Sequence, residues 1–153
     1  MPIHLVRHAH AGSRSHWDGD DRLRPLSERG IEQSSWLADT LADRSVRRVV
    51  SSPYLRCVQT VEPLAAALGL EVEVDEALGE GADPQRAFDL LLSLAADDGV
   101  ACSHGDLIPT LLRAFVNDGM AVDGPLLDKK GSLWVLDLED GRPVRGRYRP
   151  PGS

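Results

Sequence analysis

Cysteine is scarce: the 153-residue chain has two, Cys57 and Cys102. They fall in a predicted helix and a predicted strand, without the short spacings of a metal-ligand motif. Both read as reduced, packed thiols rather than a disulfide or a metal site. Long apolar runs are also missing. No stretch approaches the ~20 residues that cross a bilayer. No basic segment followed by an apolar one opens the sequence, so a secretory leader is not indicated and a cytoplasmic protein is expected. Cations are in the minority, 17 Lys and Arg against 24 Asp and Glu, a formal net charge of −7. That balance argues against nucleic acid or a membrane as a partner of the surface at large. An acidic protein that binds an anion must gather its few cations locally. Internal repeats and low-complexity tracts are absent. What is present is ordinary for a globular chain, 42% hydrophobic and 27% charged. The length suits one domain, residues 1–153, with a proper core.

The most informative stretch is Ile3-His4-Leu5-Val6-Arg7-His8-Ala9-His10-Ala11-Gly12. A short apolar run ends in Arg-His and breaks at small residues, the pattern of a buried parallel strand. In an open α/β sheet, chemistry collects beyond the carboxyl ends of such strands. Ser13 to Pro25 is polar and irregular with Trp17 inside it, which reads as a lid or, through Trp17, a hydrophobic anchor. Ser27 caps a helix running to about Asp43, with Ile31, Trp36, Leu37 and Leu41 on its apolar face. Val46 to Val50 is a strand. Ser52 as N-cap and Pro53 at the first position start the next helix, which Gly69 ends. A strand at Glu71–Val74 follows, then a loop from Leu78 to Pro84 and a helix from Gln85 to about Asp97 with Phe88, Leu91, Leu92 and Leu94 on its apolar face. Val100 to Ser103 is a strand leading to His104, and Asp106 caps a helix to about Val116. Leu133–Leu138 and Val144–Tyr148 form a hairpin around Asp140-Gly141. Strand and helix alternate, so the expected architecture is a three-layer α/β/α sandwich around a mostly parallel, mixed sheet.

Successive strand ends carry matching chemistry. The first presents Arg7 and His8, the second leads to Arg56 in the first turn of a helix, and a later one presents His104. Arg56 there acts on an anion together with the free N–H groups of the helix start. Guanidinium groups meet phosphate oxygens bidentately, and a neutral imidazole between them is a nucleophile for phosphorus.

Taken together, these stretches resemble the histidine phosphatase, or phosphoglycerate mutase-like, superfamily. Arg7-His8-Ala9 is similar to its Arg-His-Gly signature, with Ala in place of Gly. Leu26-Ser27-Glu28-Arg29-Gly30-Ile31-Glu32-Gln33 is similar to its Leu-Thr-x-x-Gly-x-x-Gln. Ser51 to Thr60 (SSPYLRCVQT) matches Ser-Ser-Pro-x-x-Arg-x-x-Gln-Thr, and Ser103-His104-Gly105 matches the second histidine motif. The short length and Arg22-Leu23-Arg24-Pro25-Leu26 look most like the SixA-type phosphohistidine phosphatase branch. Ala11 to Ser15, Gly19-Asp20-Asp21 and Lys130 to Leu136 also resemble phosphatase domains fused to MutT-type Nudix domains, though no Nudix half is present.

The resemblance implies a phosphoglycerate mutase-like fold and a phosphatase working through a phosphohistidine on His8. Arg7, Arg56 and His104 would grip the non-bridging oxygens. Glu80, in Leu78-Gly79-Glu80, would be the proton donor, with Glu76 and Asp106 as fallbacks. Arg14, Arg24, Ser103 and Gly105 are candidate substrate contacts. Lys129 and Lys130 border the crevice or form a solvated loop. His4 reads as packed, His10 and His16 as loop residues. Arg142, Arg145, Arg147 and Arg149 read as a solvated face. A phosphohistidine protein is the first substrate expected, with a phosphorylated metabolite or nucleotide as alternative. No metal or cofactor is expected.

Rival readings have their own signals. His8-Ala9-His10 is a His-x-His pair of the kind that chelates zinc, but the barrel that usually carries it needs about 250 residues. A non-catalytic phosphate-binding module would keep the cations without the chemistry. A glycolytic mutase needs substrate-enclosing segments for which this chain looks too short.

Overall fold

The computed structural model of the protein describes residues 2–152. The chain runs β1 (Ile3–Arg7), α1 (Glu28–Leu41), β2 (Val49–Ser51), α2 (Leu55–Leu68), β3 (Val72–Val74), α3 (Pro84–Ser93), β4 (Val100–Ser103), α4 (Ile108–Asn117), β5 (Ala121–Val122), β6 (Leu133–Glu139) and β7 (Arg142–Arg149). One seven-stranded sheet orders them β3-β2-β4-β1-β6-β7-β5. The pairs β3–β2, β2–β4 and β4–β1 are parallel, and β6 is antiparallel to both β1 and β7. The sheet is therefore mixed, as expected.

Apolar alternation along the central strands makes the layers. Ile3 and Leu5 of β1, Val50 and Ala101 pack with Leu91, Leu111, Leu112 and Phe115 of α3 and α4. Val6, Val49, Val100 and Cys102 pack with Leu37, Leu41, Val61 and Leu64 of α1 and α2. A strand covered on both faces buries residues of both, which is why Ile3 to Val6 of β1 are all buried. Cys57 and Cys102 are free and buried in the second of these cores. No helix among the described residues is long and apolar enough to cross a membrane.

Several local expectations need correction. Ser52 does not cap α2; that place falls to Tyr54, while the Ser52 hydroxyl accepts the Tyr54 N–H at 3.2 Å. Asp106 does not cap α4 but accepts the Gly81 N–H at 2.8 Å. The predicted strand at Val46–Val50 is displaced to β2, and the Gln85–Asp97 helix starts at Pro84 on an Asp83 cap, then narrows to a 3-10 turn at Ala95–Asp97. Ile31 and Leu92 lie exposed rather than packed. Short β5 was not anticipated; two residues carry too little pattern to register. Asp140 and Gly141, both with positive φ, make the β6–β7 turn where the Asp-Gly pair placed it.

Candidate active site

Strand order decides the site. Because β2, β4 and β1 are adjacent and parallel, their carboxyl ends lie side by side, with Arg7 in register with Ser103 and Ser51 with Cys102. The loops beyond these ends enclose a cavity of about 550 Å³ lined by Arg7, His8, Arg14, Arg24, Arg56 and Glu80, among others.

His8 is 5% exposed. Its Nδ1 lies 2.8 Å from the Ala9 carbonyl oxygen, which can only accept, so Nδ1 carries the proton and Nε2 keeps its lone pair. Burial, and then the charges of His104, Arg56 and Arg7, push its pKa down to about 3, against a smaller opposite pull from the Ala9 carbonyl. The imidazole is neutral at any physiological pH.

The loop after His8 is pegged by polar side chains. Thr60 Oγ1 accepts the Ala9 N–H at 2.9 Å, Gln33 Oε1 accepts the His10 N–H at 2.9 Å, and Gln59 Oε1 accepts the Leu26 N–H at 2.9 Å. The His8 N–H is held by the Ser103 carbonyl at 3.0 Å. Ala9 packs with Ala11 and Leu26, which explains how alanine fits where the signature has glycine.

The guanidinium groups are held from behind. Arg7 donates to the Asp128 carbonyl at 2.8 Å, and its head lies over Gly105, where a Cβ would come within 2.7 Å of Cζ. A side chain there would push the Arg7 guanidinium from this position. Arg56, 1% exposed, donates to the Asp21 carbonyl at 2.9 Å and its carboxylate at 3.1 Å. Arg24 donates to the Asp21 carboxylate at 3.0 Å and to the Ala11 carbonyl at 2.9 Å. Burial pushes the Asp21 carboxyl up, but the Arg24 bond and the charges of Arg56, Arg24 and Arg14 outweigh it and leave it below its ordinary range. Glu80 accepts from Arg14 at 3.0 Å and lies 3.6 Å from Arg56.

Other expected residues sit differently. His104 lies against His8, ring centroids 5.4 Å apart, with Nε2 2.8 Å from the Ser52 hydroxyl and Nδ1 buried without a partner. The cavity wall there is formed by Gly105. Ser103, expected to touch substrate, is instead fully buried and donates to the Leu78 carbonyl at 2.7 Å, tying down the segment that carries Glu80. Asp106 lines the cavity, whereas Glu76 pairs with exposed Arg22 at its own edge. Lys130 lines the cavity and Lys129 lies outside it. His10 is bound at Nδ1 to Ser27 Oγ, 2.7 Å away, and does not share the cavity with His8. Trp17 donates its indole N–H to the Asp20 carbonyl at 2.9 Å and so anchors its loop. His4, fully buried, faces Asp98 at 3.3 Å.

Sequence reasoning gave no role to Asp21, although it quoted Gly19-Asp20-Asp21, nor to Gln33, Gln59 and Thr60. All four lay inside stretches already quoted for the resemblance, and their polar side chains at fixed motif positions were the available signal.

The profile of the histidine phosphatase superfamily (branch 1) matches residues 3–82. The chain belongs to the histidine phosphatase superfamily. It is 36% identical over 152 residues to the 8-oxo-(d)GTP phosphatase of Mycolicibacterium smegmatis, covering 96% of this chain and 47% of that protein. It is 28% identical over 123 residues to the phosphohistidine phosphatase SixA of Escherichia coli, covering 79% of this chain and 63% of that one. The chain thus spans about half of the first relative and under two thirds of the second. The solved structure of the protein histidine phosphatase SixA complexed with tungstate superposes with a TM-score of 0.75 at 23% identity, covering 97% of this chain and 94% of that one. At that identity the likeness speaks to the superfamily fold.

Proposed function

We propose that the chain is a phosphatase that passes a phosphoryl group to His8 Nε2 and then to water. The observation carrying this reading is a buried imidazole, neutral and with Nε2 free, opening into a cavity with Arg7 and Arg56 on its wall. Nε2 attacks phosphorus as the bond to the leaving group breaks, and water then cleaves the phosphorus–nitrogen bond to release phosphate. Arg7 Nε and Arg56 Nε are buried donors without partners on two arginines that line the cavity, donors that a tetrahedral oxyanion would satisfy. The related SixA structure holds tungstate, an oxyanion of that shape. Acid-labile, base-stable radiolabel trapped on wild type and absent from His8→Ala is the expected result. Equal label on both proteins sinks the mechanism.

The leaving group separates two substrate classes. Likeness to SixA supports a phosphohistidine protein. Glu80 on the cavity wall favours a phosphoester or phosphoanhydride of a small molecule, whose alkoxide or phosphate leaving group needs a proton more than imidazole does. On that reading Glu80→Gln loses roughly 10²-fold or more on an alkyl phosphate and little on a phosphohistidine peptide. Unchanged activity on both substrates removes Glu80 from the chemistry.

A further inference from the structure

The arginines of the main cavity are each matched by an acid: Arg7 by Asp128, Arg14 by Glu80, and Arg24 and Arg56 by Asp21. A second group beside them is not. Lys130 lines the main cavity and also an adjoining cleft of about 320 Å³, whose walls include His10, Arg29 and Lys129. That cleft continues, through Arg29 and Lys129, into one of about 500 Å³. Among the described residues, Arg29, Lys129 and Lys130 make no ion pair within 4.0 Å. Among the described residues, the one carboxylate on the walls is Glu32, in the outer cleft.

Like charges gathered without an acid between them repel one another, and a chain with 24 Asp and Glu against 17 Lys and Arg has acids that could have been placed there. Burial, and then the charges of Arg7, Arg24 and Arg56 across the main cavity, depress the Lys130 ammonium below its ordinary range. Burial, and then the charges of Lys130, Arg29 and Arg24, lower His10 as well. The packing beneath them is close. Gln33 is held by the His10 N–H, and Gly131 lies so close that a Cβ would fall 2.9 Å from the Gln33 amide.

We propose that this cleft is a second phosphoryl subsite: the substrate carries two phosphoryl groups, one at His8 and one between Lys130, Lys129 and Arg29. The proposal rests on the small-molecule reading above and names its substrate class as a diphosphate or bisphosphate. Lys130 stands between the two positions and would touch both groups.

The test uses alkyl monophosphates beside the matching α,ω-alkanediol bisphosphates of graded spacer length. At one spacer length KM for the bisphosphate is expected about ten- to a hundredfold below that of the monophosphate, the usual span for an added charge-assisted contact. The double variant Arg29→Gln/Lys129→Gln removes that advantage and leaves monophosphate kcat and KM within about twofold, since surface charges this far from the bond being cleaved act weakly on it. Its circular dichroism matches wild type. A KM shared by mono- and bisphosphates at every spacer, or an advantage the variant retains, overturns the subsite while leaving the phosphatase reading intact. Hydrolysis of a phosphohistidine peptide without turnover of either alkyl phosphate defeats the small-molecule reading, and the subsite falls with it.

Discussion

His8 binds a proton far more weakly in the folded protein than in the free chain. Its pKa moves from 6.5 to about 3 on folding. Between those values the unfolded state holds the proton and the folded state does not, so stability rises with pH there. Equivalently, it is lost as pH falls from about 6.5 toward 3. The limiting slope is about 1.4 kcal/mol per pH unit. His8→Asn has no such group, so its stability from urea melts should fall less steeply over the same window. Carboxylates titrate in both proteins and cancel in the difference. Parallel losses in the two proteins would show that His8 is not held neutral by the fold.

Elements matter here through where they begin. The first turn of α1 lies against the loop that follows His8: the Ser27 hydroxyl caps Gly30 at 3.1 Å and also donates to the His10 carbonyl at 3.0 Å. A Cβ on Gly30 would land on that same carbonyl oxygen, which is backbone and cannot swing aside. Gly30→Ala gains up to ~1 kcal/mol in helix propensity. Against this stands overpacking, so a net destabilisation of about 1–3 kcal/mol is expected in urea unfolding. Equal or greater stability would mean α1 does not seat on this loop. The irregular segment between β1 and α1 is likewise an element with a job. Its Asp21 fixes Arg24 and Arg56 in place, so the segment expected to act as a lid supplies part of the wall.

Opposing fields act on an anionic substrate at the scale of the molecule. The net charge of −7 repels it, while the cavity wall, where cations outnumber carboxylates, attracts it. Salt distinguishes them. If the local cations govern capture, kcat/KM on a phosphorylated substrate falls about two- to fivefold between ~0.05 and ~0.3 M salt, as the Debye length shortens from ~14 to ~6 Å. A rate that rises with salt would put the global charge in control and contradict a site built on local attraction.

Much of this was legible before any coordinates. Apolar runs ending at Arg7-His8 and at Ser103-His104 marked buried parallel strands, and Ser27, Gly69 and Asp140-Gly141 marked ends and turns, because backbone sterics and local hydrogen bonds act within a few residues. The sequence by itself determined that the chain alternates strand and helix and which side chains were candidates for the chemistry. Only the tertiary structure decided that β2, β4 and β1 are neighbours, that Ser103 is buried while Gly105 faces the cavity, and that Asp21 stands behind Arg56 from 35 residues away. Those facts depend on contacts between segments distant along the chain, and local pattern carries no record of which segments will meet.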